Sequence, residues 1–165
     1  MKANTILAVG ALVWAALYTP LAAAQAAQFS WMETKRPPTV YQAGTDNSVF
    51  FSAPSTVTVP LLPPNNVVTI SSSAVITGVS WNIMPYTNGS PTQTFQICYA
   101  PPYTSAYNRC TDVTNTLTVN NSSFFNGQLV KGSQFRITGN ISGGGSFPAI
   151  PGANQNFTIQ VNFSQ

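Results

Sequence analysis

Two cysteines carry the most specific chemistry in this sequence. Cys98 and Cys110 are the only cysteines in the chain, and eleven residues separate them. In an oxidising compartment such a pair most often forms a disulfide, whereas a redox-active pair usually has the closer C-x-x-C spacing. We therefore predict a structural disulfide, which for a loop of this length contributes ~3 kcal/mol in the chain-entropy model.

The chain has few side chains that could catalyse acid–base reactions or bind a metal ion. There is no histidine, and Glu33, Asp46 and Asp112 are the only acidic residues. The lack of histidine removes Ser-His-Asp triads and most zinc sites. Two of the three carboxylates could meet as a glycosidase pair, but no motif supports this. We predict no catalytic residue, metal or cofactor, so the protein is not expected to be an enzyme, and a carbohydrate hydrolase is the weakest alternative.

The segment between the cysteines is the strongest candidate for binding a partner. It contains Tyr99, Tyr103 and Tyr107, with Arg109 beside the second cysteine, and the Pro101-Pro102 pair restricts its backbone. Tyrosine and arginine are favoured anchors at protein interfaces, and binding residues concentrate on loops that a rigid scaffold holds. We predict that these four side chains contact a protein partner. The alternative is that the tyrosines only cover one end of the fold.

The N-terminal residues indicate export. A positive charge at Lys2 precedes an apolar run over residues 6–18, and small residues follow as far as Ala24-Gln25-Ala26. This order of charge, apolar core and A-x-A site is that of a cleaved signal peptide. The apolar run is shorter than the ~20 residues that a spanning helix needs. We predict cleavage after Ala26 and a periplasmic or otherwise exported protein with no membrane span.

The remaining residues, 27–165, have the length of a single domain. They carry five Lys and Arg against three acids, and the cations are scattered along the sequence. A nucleic-acid-binding protein would concentrate its cations on one face, so nucleic acid is excluded as a partner. The abundance of Ser, Thr, Asn and Pro favours strands and turns over helices.

Alternation of apolar and polar residues predicts the strands that position the cysteine loop. It is clearest over residues 157–163, 79–83, 95–99 and 134–138, and weaker over 48–52, 55–59, 67–70, 74–76 and 113–119. Asn88-Gly89 predicts a hairpin turn between the strands around Trp81 and Phe95. We therefore expect an all-β fold of seven or eight short antiparallel strands, as a sandwich or a partly open barrel. Residues 27–45 are predicted to be an irregular lead-in.

The C-terminal half contains the segment Gly143–Pro151 (GGGSFPAIP) followed by the alternating strand Phe157–Phe163. This end of the chain resembles the end of the flagellar FlhE proteins. A strand with Val-Ser-Trp81 and a later strand with the first of two nearby cysteines occur in the same order. The resemblance implies a periplasmic β protein that assists the flagellar export apparatus or limits proton leakage through it. It implies no catalytic residues.

A fimbrial or other surface subunit is the main alternative to the FlhE-like interpretation. Polar, uncharged β domains are common in such subunits, which bind by adding a strand to an incomplete sheet. Residues 27–45 could serve as the donated arm. Pro37-Pro38 and the lack of alternation in this segment argue against that role.

Overall fold

The regular structure of the described residues consists of ten β-strands. A computed structural model describes residues 26–44, 46–59, 67–87, 92–143 and 147–165. The strands are β1 (Gln28–Lys35), β2 (Asp46–Ser52), β3 (Thr56–Thr58), β4 (Val67–Thr69), β5 (Val75–Ile83), β6 (Thr92–Ala100), β7 (Arg109–Asp112), β8 (Thr118–Ser122), β9 (Gln134–Ser142) and β10 (Phe157–Ser164).

The strands form two four-stranded sheets and one short ribbon. Sheet I has the order β1-β10-β5-β8, sheet II has the order β2-β9-β6-β7, and β3 pairs with β4. All of these pairings are antiparallel. The predicted all-β antiparallel sandwich is therefore confirmed. It has ten strands rather than seven or eight, and neither four-stranded sheet closes into a barrel.

The core lies between the two sheets and follows the apolar alternation of the strands. Every second residue of β10, from Phe157 to Phe163, is fully buried. Phe157 of sheet I meets Phe95 of sheet II edge-on, with ring centroids 5.8 Å apart. Trp81 is buried as its alternating position predicts, and its Nε1 donates to the carbonyl oxygen of Thr116 at 2.8 Å.

A smaller apolar cluster closes one end of the sandwich around Tyr86. This ring packs with Val40, Ile141 and Ala149. Its hydroxyl donates to the carbonyl oxygen of Pro38 and accepts a hydrogen bond from Asn47 Nδ2 at 2.8 Å. Burial raises the pKa of Tyr86 to about 12, so the hydroxyl stays protonated at neutral pH.

The predicted irregular lead-in is wrong for its first half. Gln28–Lys35 forms β1, which pairs with β10 along its whole length. Phe29 and Trp31 face the core, but the next two residues on that face are Glu33 and Lys35, which interrupt the apolar pattern. Lys35 instead reaches sheet II, where Nζ donates to the carbonyl oxygen of Phe50 at 2.6 Å. Because β1 is an edge strand, charged residues on its inner face can reach the rim of the core.

The predicted hairpin between β5 and β6 is not formed. These two strands lie in different sheets, although the Asn88-Gly89 turn itself is outside the described residues. The predicted strand 113–119 is also divided: Val113 packs in the core, a turn follows, and β8 begins only at Thr118. Both errors arise because alternation shows that a segment is extended, but it does not show which segment lies beside it.

The predicted signal peptide, residues 1–26, lies outside the described residues except for Ala26. Cleavage after Ala26 and export therefore remain predictions. No segment of the described structure forms a helix of the length and hydrophobicity that crossing a bilayer requires.

Candidate functional site

The predicted disulfide is formed and joins the last two strands of sheet II. Cys98 on β6 and Cys110 on β7 are directly opposite in the strand register, and their Cα atoms are 4.0 Å apart. Cys98 is completely buried. Strand β7 has only four residues and little apolar alternation, which is why the sequence did not indicate it. The disulfide and the pairing with β6 hold this short edge strand in place.

Tyr99 is part of the core, which corrects its prediction as a partner-binding residue. Its side chain is fully buried, and its ring packs edge-on against Phe135 with centroids 5.5 Å apart. The hydroxyl donates to the carbonyl oxygen of Leu129 at 2.9 Å. Burial raises the pKa of Tyr99, so its hydroxyl remains protonated and able to donate at neutral pH. Tyr99 follows Cys98 in a strand and therefore faces the core, whereas Cys98 faces outward.

Tyr107 lies on the outer face of sheet II in a cluster with Arg136 and Phe50. The Arg136 guanidinium carbon lies 4.3 Å from the centroid of the Tyr107 ring, within the range of a cation–π interaction. The Phe50 ring centroid is 6.5 Å from that of Tyr107. The Tyr107 hydroxyl donates to Gln134 Oε1 at 3.3 Å. Burial raises the pKa of Tyr107, and the charge of Arg136 lowers it in part.

The strand register explains why these residues meet. Phe50 on β2 is opposite Arg136 on β9, and Arg136 is in turn opposite Cys98 on β6. With ~4.8 Å between neighbouring strands, Phe50, Arg136, Cys98 and Cys110 form one row across sheet II. The loop after β6 then returns Tyr107 over the middle of that row. Half of the Phe50 side chain is exposed.

Tyr103 projects from the same loop and is 84% exposed. Its backbone has φ 60°, in the left-handed region, and its N–H donates to the carbonyl oxygen of Gly132 at 3.2 Å. The edge of its ring lies against Gly132, where an added Cβ would be 3.0 Å from Tyr103 Cε1. Gly132 therefore leaves room for the ring just before β9. We call Phe50, Tyr103, Tyr107 and Arg136 the aromatic patch.

Arg109 does not belong to the aromatic patch. It is opposite Tyr99 in the register and therefore points away from the face that carries Cys110. Its guanidinium carbon lies 4.9 Å from the centroid of the Phe124 ring. Its Nε is enclosed and has no hydrogen-bond partner among the described residues. The four predicted binding residues are therefore divided among the core, the outer face of sheet II and the opposite side of β7.

Two of the three carboxylates, those of Asp46 and Asp112, are too far apart to form a glycosidase pair. Asp46 and Asp112 lie on β2 and β7, which are opposite edges of sheet II and three strand spacings apart, or ~14 Å. Glycosidase carboxyl groups are ~5–9.5 Å apart. Glu33 Oε1 is 2.8 Å from Lys35 Nζ in an ion pair. Within the described ranges, no three Asp, Glu, Cys or His side chains lie close enough to hold a metal ion.

Sequence reasoning missed Phe50 and Arg136. Each lies at a polar or outward position of a predicted strand, and neither belongs to a motif. Only the pairing of β2 with β9 and the return of the cysteine loop bring them to Tyr107. One feature of the sequence could have identified Phe50. Phenylalanines occupy the adjacent positions 50 and 51, and because neighbouring residues of a strand face opposite sides, one of them must point away from the core.

Comparison with protein-family models and curated proteins identified no relative of this chain. The resemblance to FlhE proteins therefore depends on the sequence features described above.

Proposed function

We propose that this protein is an exported, non-enzymatic accessory protein that binds a protein partner through the aromatic patch. Following the resemblance to FlhE proteins, the proposed partner is a periplasmic component of the flagellar export apparatus. The observation that carries the proposal is the rigid cluster of Phe50, Tyr107 and Arg136 on an otherwise polar sheet face.

The aromatic patch has the composition and the rigidity of an interface anchor. Aromatic residues and arginine are enriched at interface centres. The ring of Tyr107 is held by a hydrogen bond at one end and by Arg136 on its face, while Gly132 holds the backbone of Tyr103. Side chains that are already ordered lose little conformational entropy on binding. The patch also lies beside the disulfide, which limits the motion of its supporting strands.

The geometry of Arg136 adds a charge-assisted contact to this surface. No carboxylate of the described residues forms an ion pair with it, and its Nε is enclosed without a partner. We infer that its terminal nitrogens, which form no ion pair with a described residue, donate to an acceptor on the partner. A guanidinium that is already stacked on an aromatic ring can bind a carboxylate in the bidentate manner that arginine favours.

The position of β1 supports an accessory role over that of a fimbrial subunit. A donor-strand subunit has an incomplete sheet and gives its N-terminal arm to a neighbouring subunit. Here the N-terminal strand β1 pairs with β10 of its own chain over eight residue pairs. Residues 28–35 are therefore used within the fold.

The test combines deletion of the gene with complementation by surface variants in flagellated cells. Loss of the protein should disturb flagellar export or cytoplasmic pH and leave adhesion unchanged. The double variant Phe50→Ser, Tyr107→Ser should fail to complement, because loss of an interface anchor costs ~2 kcal/mol or more of binding. Its melting temperature should be measured first, so that a folding defect is recognised.

Tyr103→Ser and Tyr41→Ser form a matched pair of single variants. Both tyrosines are largely exposed, at 84% and 77%, but Tyr41 follows Val40, which pairs with Ala149 at the other end of the sandwich. Tyr103→Ser should weaken complementation, and Tyr41→Ser should not. Full complementation by the double variant, or equal effects of the two single variants, would reject the aromatic patch as the binding surface. Loss of surface fibres with normal motility in the deletion strain would favour the fimbrial alternative.

A further inference from the structure

The outer face of sheet I differs chemically from that of sheet II. Most outward side chains of β1, β10, β5 and β8 are Ser, Thr, Asn and Gln. The apolar exceptions are Val75 at the start of β5, which is partly buried, and Met32, which is 67% exposed. None of the charged residues of these four strands faces outward, because Glu33 and Lys35 share the inner face with Trp31. This face is therefore a neutral array of hydroxyl and carboxamide groups.

One end of this face contains a cleft of about 600 Å³. Its polar lining includes the carboxamides of Gln28, Asn121 and Asn162 and the hydroxyl of Thr77, and Val57 of β3 forms an apolar side. Ligand sites typically have volumes of ~300–1,000 Å³ and combine apolar walls with a few positioned polar groups. None of the described residues that line the cleft is charged.

Asn121 is held in the cleft by its backbone and its neighbours. Its φ is 58°, its N–H donates to Ser80 Oγ at 2.9 Å, and its Oδ1 accepts from Asn162 Nδ2 at 3.2 Å. The side chain lies over Gly78, where an added Cβ would be 1.7 Å from Asn121 Oδ1. A side chain at position 78 would therefore displace this carboxamide.

The carboxamides of the cleft retain free hydrogen-bonding groups. Thr77 Oγ1 donates to Gln28 Oε1 at 3.2 Å. Asn121 Nδ2 and Gln28 Nε2 have no partner among the described residues, so each can donate to a ligand. The hydroxyl oxygens nearby can accept. A ligand that both donates and accepts at several positions, and that carries no charge, matches this set.

We propose that the outer face of sheet I binds a neutral oligosaccharide, anchored at the cleft around Asn121 and Asn162. Sugar hydroxyls both donate and accept, while sugar C–H groups can pack on the exposed side chain of Met32. A protein partner fits this face less well, because interface cores are richer in apolar and aromatic side chains, and Met32 is the one large apolar side chain exposed on the outward face of the four described strands. The site lies on the sheet opposite the aromatic patch, so it is independent of the proposed protein partner.

The binding test uses amide chemical shifts of the purified protein. Chitohexaose, cellohexaose and maltohexaose are the neutral probes, and oligogalacturonate is the acidic control. At least one neutral probe should shift signals of β1, β10 and β8 around the cleft, and the acidic probe should not. The proposal is overturned if no neutral hexasaccharide shifts these signals at millimolar concentration. Equal binding of the acidic probe would overturn the assignment of a neutral ligand.

A matched pair of variants tests the cleft itself. Asn121→Gly keeps the left-handed backbone and removes the carboxamide, so it should weaken binding about tenfold, as expected for a lost pair of neutral hydrogen bonds. Asn154→Gly removes an exposed carboxamide from the turn before the other end of β10 and should leave affinity unchanged. Equal affinity of both variants and the original protein would reject the cleft. The double variant Phe50→Ser, Tyr107→Ser should retain saccharide binding. This result would separate the saccharide site from the proposed protein-binding surface.

Discussion

Two tryptophans with equal burial differ in the hydrogen bonding of their indole nitrogens. Trp31 on β1 and Trp81 on β5 are each 6% exposed. Nε1 of Trp81 donates to the carbonyl oxygen of Thr116 at 2.8 Å, whereas Nε1 of Trp31 is enclosed and has no partner in the described structure. Replacement of each residue by phenylalanine removes a similar apolar area but changes the hydrogen bonding in opposite directions.

The magnitudes follow from this difference. Trp81→Phe loses a hydrogen bond with a net value of ~0.5–1.5 kcal/mol. Trp31→Phe removes a buried, unsatisfied donor, which relieves a penalty of ~1–3 kcal/mol. Because the loss of apolar contact is shared, Trp81→Phe should be less stable than Trp31→Phe by about 1.5–4.5 kcal/mol. Trp81→Ala should lose ~3–5 kcal/mol relative to the original protein, because it also leaves a cavity.

The assay is equilibrium urea unfolding of residues 27–165, followed by far-ultraviolet circular dichroism so that the change in tryptophan content does not affect the signal. Similar m-values in the variants would show that the same surface is exposed on unfolding. The stability difference is then read from the midpoints. Equal midpoints for the two phenylalanine variants, or a lower midpoint for Trp31→Phe, would refute the assignment of the bonded and unbonded indoles.

Three other changes test the disulfide, the tyrosine cluster and the packing of sheet II. Joint replacement of Cys98 and Cys110 by alanine should cost ~2–5 kcal/mol in urea unfolding, and an unchanged midpoint would contradict a stabilising disulfide. Since burial raises the pKa of Tyr86 from 10.0 to about 12, its contribution to stability is complete below pH 10 and is lost as the pH rises to 12. The loss should be about 2–3 kcal/mol, and Tyr86→Phe should flatten this alkaline decrease. A decrease of the same slope in that variant would count against the assignment. Gly139→Ala places Cβ 2.9 Å from Phe95 Cε1, so its melting temperature should fall by an amount equivalent to ~1–3 kcal/mol, and an unchanged value would show that the ring moves freely.

Most strands could be predicted from the sequence, because burial of one face of a strand makes apolar residues recur at every second position. The run from Phe157 to Phe163 and the position of Trp81 were correct for this reason. The same logic failed at β1, where Glu33 and Lys35 occupy inner positions at the rim of the core. It also failed at β7, which is too short to show a period and is held by its disulfide.

The candidate binding residues were harder to predict from sequence, because their roles depend on the face to which each side chain points. Tyr99 and Tyr107 belong to the same aromatic segment, yet one is enclosed in the core and the other lies on the outer face of sheet II. Phe50 and Arg136 join Tyr107 only because β2, β9 and β6 are neighbours in one register. That register is a long-range property of the whole sheet, so no local sequence pattern contains it.

Three properties of this protein can be read from its residues alone: the all-β class, the cysteine pair that forms the disulfide, and the side chains that alternate into the core. These properties follow from residue chemistry and from a local period, which act over a few neighbouring positions. The tertiary structure alone decided which strands pair, and therefore where the aromatic patch and the neutral face lie on opposite sheets. The physical reason is that a β-strand can make the same backbone hydrogen bonds with many partners, and the packing of the complete core selects among them.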